Sequence, residues 1–390
     1  MRPLSLVFAS DSFKGSLTSA DTARLLAIAA ERRLPGSTWK VVPMADGGEG
    51  TVDALVAACG GEIVCRQVSG PLGEPVEAGY ALLPGGRAVV EMAAAAGLPL
   101  VPDERRDPRA TSTYGVGELV RDALGRGCCN ITVALGGSAT NDGGMGMMSA
   151  LGVRFLDASG RELPGCGASL AAVASIDAGG LDAHVAQAAF TAMCDVDNPL
   201  TGPSGATFTF GPQKCGPLVT AAVLDELESG MESYARVLAE ACGCEVGAEP
   251  GAGAAGGLGA ACLAFLQASL KPGIECVLDL VEFDRLLEEA DLVVTGEGRL
   301  DTQTAHGKVA SGIAAACSRH GVPCIAIVGG IASDACEIPG LGAVVPIAPG
   351  PCTLDECVAD AERLYLQAAD RAFSLVAMGA SLARRPIVRD

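Results

Sequence analysis

Ile131-Thr-Val-Ala-Leu-Gly-Gly-Ser-Ala-Thr-Asn-Asp-Gly-Gly-Met-Gly146 decides how this chain is read. Its first five residues are apolar or β-branched and predict a buried strand. Glycines at 136, 137, 143, 144 and 146 then break the strand, with Ser138, Thr140, Asn141 and Asp142 between them. An Ala/Met/Leu helix is expected from about Met145 to Leu151. A strand, a glycine-dense turn and a helix start together aim backbone N–H groups and a helix dipole at an anion. Glycine lets the backbone approach a ligand closely and take positive φ. Asn141 and Asp142 add side chains that reach a ribose, a hydroxyl or a metal. A tight βα turn with an Asx cap explains the stretch equally well on its own. The other loops of the chain decide between the two.

Working outward, the strand Leu4–Ala9 ends in Ser10-Asp-Ser-Phe-Lys-Gly-Ser-Leu-Thr18 and a helix follows from about Ser19 to Arg33. This sets Asp11 and Lys14 at the carboxyl end of a strand, where open α/β sheets bind ligands. The strand Trp39–Met44 leads into Ala45-Asp-Gly-Gly-Glu-Gly-Thr51 and a helix to about Ala58. Asp46 and Glu49 there suit Mg²⁺ or proton acceptance, or simply cap the helix. Phe190–Pro199 is a strand ending in Asp195, Asp197 and Asn198, a hard-cation pattern that lacks the remaining ligands of an EF-hand. Gly211-Pro-Gln-Lys-Cys-Gly216 places Lys214 in a turn. Pro250–Gly259 contains a formal GxGxxG, but no strand precedes it and the dinucleotide reading fails. A helix is expected over Asp279–Glu289. The βα rhythm returns in Ala290–Thr304, with Glu297 and Asp301, and Ala305-His-Gly-Lys308 opens the next helix. This is not a Walker A loop, since Thr302 replaces its first glycine and Val309 follows the lysine. Strands at Pro323–Gly330 and Gly342–Ala348 and a helix from about Leu354 to Met378 complete the series.

Both chain ends therefore feed one doubly wound parallel sheet, interrupted by a second, mixed α/β domain. That insertion includes a hairpin of Val76–Leu83 and Arg87–Met92. The expected division is 1–66 plus 281–390 against 67–280, with the active site in the cleft between them.

Composition narrows the function. At 390 residues, 49% hydrophobic and 19% charged, the chain is globular rather than disordered. Aromatic residues at 4% and a net charge of −19 disfavour nucleic acid and anionic membranes. No run reaches the length of a spanning helix, and Leu4–Ala9 is too short for a signal h-region. Sixteen cysteines show neither CxxC nor zinc spacing, which points to most of them being small core residues in the reducing cytoplasm. Only five residues are lysine, and Lys14, Lys214 and Lys308 each fall in a polar, glycine-containing loop. An acidic protein that binds anions must concentrate positive charge in this way. Three histidines and the lack of GxSxG or HExxH leave carboxylates, lysines and glycine turns, the inventory of Mg²⁺-assisted phosphoryl transfer. The acceptor is not legible in the residues.

The motifs 11–18, 43–51, 136–146, Cys194–Leu200, Gly211–Lys214, Gly251–Gly259 and Thr295–Thr304, in this order, resemble those of type I glycerate kinases. The resemblance runs from about residue 4 to about 376. Val309-Ala310 stands where the family usually has a proline, and Cys215 where it has glycine. The resemblance implies ATP-dependent phosphorylation of D-glycerate to 2-phosphoglycerate, with 3-phosphoglycerate as the alternative product. It also implies a flavodoxin-like domain interrupted by a second α/β domain. Lys14 and Lys308 would neutralise phosphate or the glycerate carboxylate beside Asp11, and Asp46 would accept the hydroxyl proton. Asp195 and Asp197 would hold Mg²⁺. The turn with Gly136, Gly137, Ser138, Asn141 and Asp142 would cradle the nucleotide phosphates, joined by Lys214, Glu297 and Asp301. A nicotinamide oxidoreductase and a silent nucleotide sensor are the rival classes; the strandless GxGxxG counts against the first and the full set of acids against the second. No nucleic acid or membrane partner is expected, and a homodimer is compatible with all of this.

Overall fold

The computed structural model describes residues 2–13, 15–45, 47–48, 50–301, 308–332 and 337–382. Their strands are β1 (Ser5–Ser10), β2 (Thr38–Val41), β3 (Glu62–Ser69), β4 (Pro75–Leu83), β5 (Arg87–Glu91), β6 (Asn130–Ala134), β7 (Arg154–Leu156), β8 (Ser175–Asp177), β9 (Ala189–Met193), β10 (Ser269–Lys271), β11 (Leu292–Leu300), β12 (Cys324–Ile331) and β13 (Ala343–Pro346). The chain divides into two compact units, Met1–Asp46 with Ile274–Asp390, and Gly47–Gly273.

In the first unit five parallel strands lie in the order β13-β12-β11-β1-β2. This is the flavodoxin-like order expected of a doubly wound sheet. Alternation along each strand sends side chains to both faces. Leu6, Phe8, Leu292, Val294 and Ile327 join one core with the helices Ser19–Arg33 and Ala361–Leu382. Ala326 and Val328 face the helix Val309–His320 on the other side. The first helix starts where its sequence signals say: Thr18 and Asp21 form a reciprocal capping box. β2 stops at Val41 rather than Met44, and Pro43 has no N–H with which to extend the ladder. The helix expected over 279–289 is broken, because Glu282 takes a left-handed φ of 51° between Gly273–Leu280 and Phe283–Leu287. The last helix likewise divides at Asp360 into Leu354–Ala359 and Ala361–Leu382.

The second unit holds a six-stranded sheet ordered β10-β9-β6-β5-β4-β3. β10, β9, β6 and β5 run parallel, and the expected hairpin turns the chain antiparallel at β4. The helix Thr51–Cys59 and β3 belong to this unit, not to the first. β3 pairs with β4 along its whole length, and the helix packs on β3, β4 and β5. That hydrogen-bonded ladder moves the first boundary from 66 back to 46. β6 lies inside the sheet, so the focal turn leaves from a strand buried between β9 and β5.

The glycine run 251–259 has a structural use that the dinucleotide pattern does not capture. Ala255, Gly256 and Gly257 take successive left-handed φ values of 53°, 70° and 93° at the start of the helix Ala254–Leu266. This turns the Gly256 carbonyl to accept the Gly143 N–H at 2.9 Å. A Cβ on Gly256 would stand 2.0 Å from the Thr140 carbonyl oxygen. Gly256→Ala is expected to lower stability by more than about 2 kcal/mol, through strain and a backbone clash together. Gly379→Ala, in an exposed helical position with open space around it, should raise stability by about 0.5–1 kcal/mol. Denaturant unfolding of both variants checks this, and equal effects would refute the packing assigned to Gly256.

Candidate functional site

The turn after β6 is built around a carboxylate that solvent does not reach. Asp142 is fully buried. Its Oδ2 accepts the Thr113 N–H and Oγ1–H, both at 2.8 Å, and the Gly146 N–H at 3.2 Å. Its Oδ1 accepts the Gly144 N–H at 3.0 Å. Burial raises the Asp142 pKa, and these donors oppose the rise. Thr113 then accepts the Met147 N–H at 2.9 Å, which ties the turn to the helix Met145–Ala150.

Lys214 is not in a turn. It is the last residue of the helix Ala206–Lys214, despite Pro212, and is 2% exposed. Its Nζ donates to the Thr140 carbonyl at 2.7 Å. Desolvation lowers its pKa to about 7, while the charge of Asp142 works against that shift. Asn141 donates through Nδ2 to Thr207 Oγ1 at 3.3 Å, and Tyr234 donates to the Gly143 carbonyl at 3.2 Å. Asn141, Asp142 and Lys214 thus lie behind the turn and fix its shape. Within the turn itself, Thr140 Oγ1 and Asn141 Oδ1 are buried with no partner among the described residues.

The front of the turn differs. Ala139 N–H and the Gly137 carbonyl bond the segment 96–98 at 2.9 Å each, so residues 137–139 are held like a short strand. The N–H groups of Gly136, Gly137 and Ser138 make no hydrogen bond to another described residue. Such a row of amides after a strand is suited to an anion.

Asp195 and Asp197 follow β9 and are exposed. Asp195 Oδ1 accepts the Gly273 N–H at 2.8 Å. Among the described residues no three His, Cys, Asp or Glu side chains converge as a metal cage. Mg²⁺ asks for less, since it keeps waters and substrate phosphates beside one or two carboxylates. Cys194 is core rather than nucleophile: burial raises its thiol pKa, and its Sγ donates to the Val196 carbonyl.

In the first unit Asp11 leaves β1 with its N–H on the Gly296 carbonyl at 2.9 Å, and its Oδ1 accepts the Ser12 N–H. Glu297 is buried in β11, and Asp301 follows that strand. Lys308 caps the helix Val309–His320 and lies 3.6 Å from Asp301 Oδ1, so these two expected residues do meet. Lys14, Asp46, Glu49 and His306 lie outside the described residues. The residues that sequence reading missed are Thr207 and Tyr234, which reach the turn from 66 and 91 positions away in the chain. Thr113 closes the hydroxyl run Thr111-Ser-Thr113 ahead of the helix Tyr114–Gly125, a run that suits a helix cap or a ligand contact as well as it suits Asp142.

The Lys214–Asp142 arrangement carries a pH signature. Lys214 binds its proton less tightly when folded than when unfolded, so it adds stability as pH rises from about 7 toward 10.5. Lys214→Met should cost about 2–3 kcal/mol near neutral pH, by leaving the Thr140 carbonyl and Asp142 against an apolar chain. The gap between wild type and variant should widen between pH 7 and 9 in thermal unfolding. A gap that stays flat would show an ordinary lysine pKa.

Residues 6–377 match the model of the glycerate kinase family. A glycerate kinase of Bacillus subtilis (strain 168) is 46% identical over 90% of this chain and 92% of its own length. A glycerate 2-kinase of Escherichia coli (strain K12) is 43% identical over 90% of this chain and 93% of its own. A crystal structure described as glycerate kinase 2 from Salmonella typhimurium LT2 superposes with a TM-score of 0.88 at 41% identity, over 97% of this chain and 100% of that one. The buried turn, the parallel five-stranded sheet, the mixed six-stranded sheet and this end-to-end similarity agree: the chain belongs to the glycerate kinase family.

Proposed function

We propose that the protein transfers the γ-phosphate of ATP, with Mg²⁺, to D-glycerate and forms 2-phosphoglycerate. The observation that carries the reading is the turn after β6, whose shape is fixed from behind by Asp142 and Lys214. Phosphoryl transfer asks a protein mainly to position groups and to neutralise charge. The amides of Gly136, Gly137 and Ser138 serve the first need by receiving phosphate oxygens. Asn141, Asp142 and Lys214 keep those amides in place rather than touching the nucleotide. Lys308, held near Asp301, and Lys14 supply positive charge for phosphate or the glycerate carboxylate, with Asp11 and Glu297 at the same strand ends. Asp46 accepts the hydroxyl proton. The similarity to a glycerate 2-kinase favours the 2-position over the 3-position.

The donor set fits Mg²⁺. Asp195 and Asp197 are two exposed carboxylates two residues apart, the first with its Oδ1 on the Gly273 N–H. When bound, the ion would draw charge from the phosphates. Asp195 and Asp197 would hold it, and water and phosphate would complete the shell.

ADP release from ATP, Mg²⁺ and D-glycerate, with the product identified by NMR, tests the reaction. Turnover to 2-phosphoglycerate is expected, and Asp46→Ala should abolish it while leaving the melting temperature unchanged. A 3-phosphoglycerate product would reverse the position, and normal turnover by Asp46→Ala would remove its role. Asp195→Asn keeps an oxygen for the Gly273 N–H, so it isolates the metal role. With Asp197→Asn it should raise the Mg²⁺ concentration for half-maximal rate at least tenfold. An unchanged Mg²⁺ dependence would place the ion elsewhere.

A further inference from the structure

We infer that a cavity at the carboxyl edge of the five-stranded sheet receives the purine nucleoside of the phosphoryl donor. The inference rests on the kinase reading above and adds where the donor's base and sugar sit. The cavity measures about 440 Å³, within the range of about 300–1,000 Å³ typical of small-molecule sites. Phe13 lines it after β1, Arg299 at the end of β11, Gly329 and Gly330 at the end of β12, and Ile347 and Leu354 after β13. β1 and β11 are the neighbours at which the strand order reverses, the place where open α/β sheets take their ligands.

Charge separates this cavity from two larger ones. One of about 600 Å³ is lined by Glu275, Asp279, Glu282 and Asp284 against Arg285 and Arg319, and one of about 650 Å³ by Glu232, Glu240 and Glu245 against Arg236, so acids outnumber bases in each. Both would repel a polyphosphate ester. Among the described residues the 440 Å³ cavity has no carboxylate in its lining, although the chain carries a net charge of −19. The one cation among its described lining residues, Arg299, is exposed and makes no ion pair with a described residue. The apolar walls suit the two faces of a base, and a guanidinium suits either stacking or the α-phosphate.

Gly330 makes the inference testable. Its φ is not left-handed, and a Cβ built on it meets nothing within 4 Å, whereas one on Gly329 would stand 2.2 Å from the Gly298 carbonyl oxygen. A side chain at 330 therefore enters the cavity without straining the sheet. Equilibrium dialysis of ADP with Mg²⁺, in the absence of glycerate, reads the site directly. Gly330→Leu should keep the wild-type melting temperature, weaken ADP binding at least tenfold and raise the KM for ATP similarly, with the KM for D-glycerate unchanged. Arg299→Ala should weaken ADP binding several-fold, and it decides the matter if Gly330→Leu does not fold. Wild-type ADP affinity in both variants, or a KM effect confined to glycerate, would overturn the inference while leaving the kinase reading intact. A wild-type protein that binds neither ADP nor ATP would overturn both.

Discussion

The carboxylate of Asp142 is the contact on which the glycine-rich turn depends. A charge in a solvent-free interior persists only where donors replace its water. Four N–H and O–H donors do so here, drawn from Thr113, Gly144 and Gly146. Each bond spends one degree of freedom of a glycine-rich backbone that would otherwise be floppy. Lys214 then fixes the same turn through the Thr140 carbonyl and puts a compensating charge near the carboxylate. The glycines at 143, 144, 256 and 257 are the geometric counterpart of this polar lock. Side chains there would meet Tyr234, Ala261, Thr140 and Gly143.

This lock explains why the chain is so sparing with positive charge. With 46 acids against 27 bases, a protein that handles phosphates has to place its few cations where a loop or helix end holds them. Lys214 holds a loop from inside, and Lys308 stands at a helix start beside Asp301. The N–H groups of Gly136, Gly137 and Ser138 add partial positive charge at no cost in net charge. The same economy leaves a cavity with no carboxylate among its described lining residues at the edge of the flavodoxin-like sheet.

The sequence made the parallel sheet, the interrupted architecture and the focal strand-turn-helix legible because each rests on local signals. Buried β-branched runs, a Thr18 capping box and glycine at strand ends all act within a few residues. Less was legible where distant groups decide. The first boundary was set by the pairing of β3 with β4, and a strand's partner is not written in the strand. Pro212 suggested a turn at Lys214, yet it is tolerated inside a nine-residue helix. Asn141, Asp142 and Lys214 read from the chain as polar side chains of a glycine loop, with no sign that the fold buries all three. Their burial came from Thr113, Thr207 and the run 251–259, which only the fold brings to them. Most cysteines were expected in the core, and among the described ones only Cys65, Cys129, Cys244 and Cys352 are exposed.

Amide hydrogen exchange across residues 135–147, resolved to single residues and measured with and without ADP and Mg²⁺, tests the turn most directly. The expected result is slow exchange at Ala139 and Gly143–Gly146 in the free protein, from the bonds described above. Gly136, Gly137 and Ser138 should exchange fast in the free protein and become protected only when nucleotide binds. A turn that exchanges freely throughout, or bound nucleotide that leaves those three amides unprotected, would contradict a preformed phosphate cradle after β6.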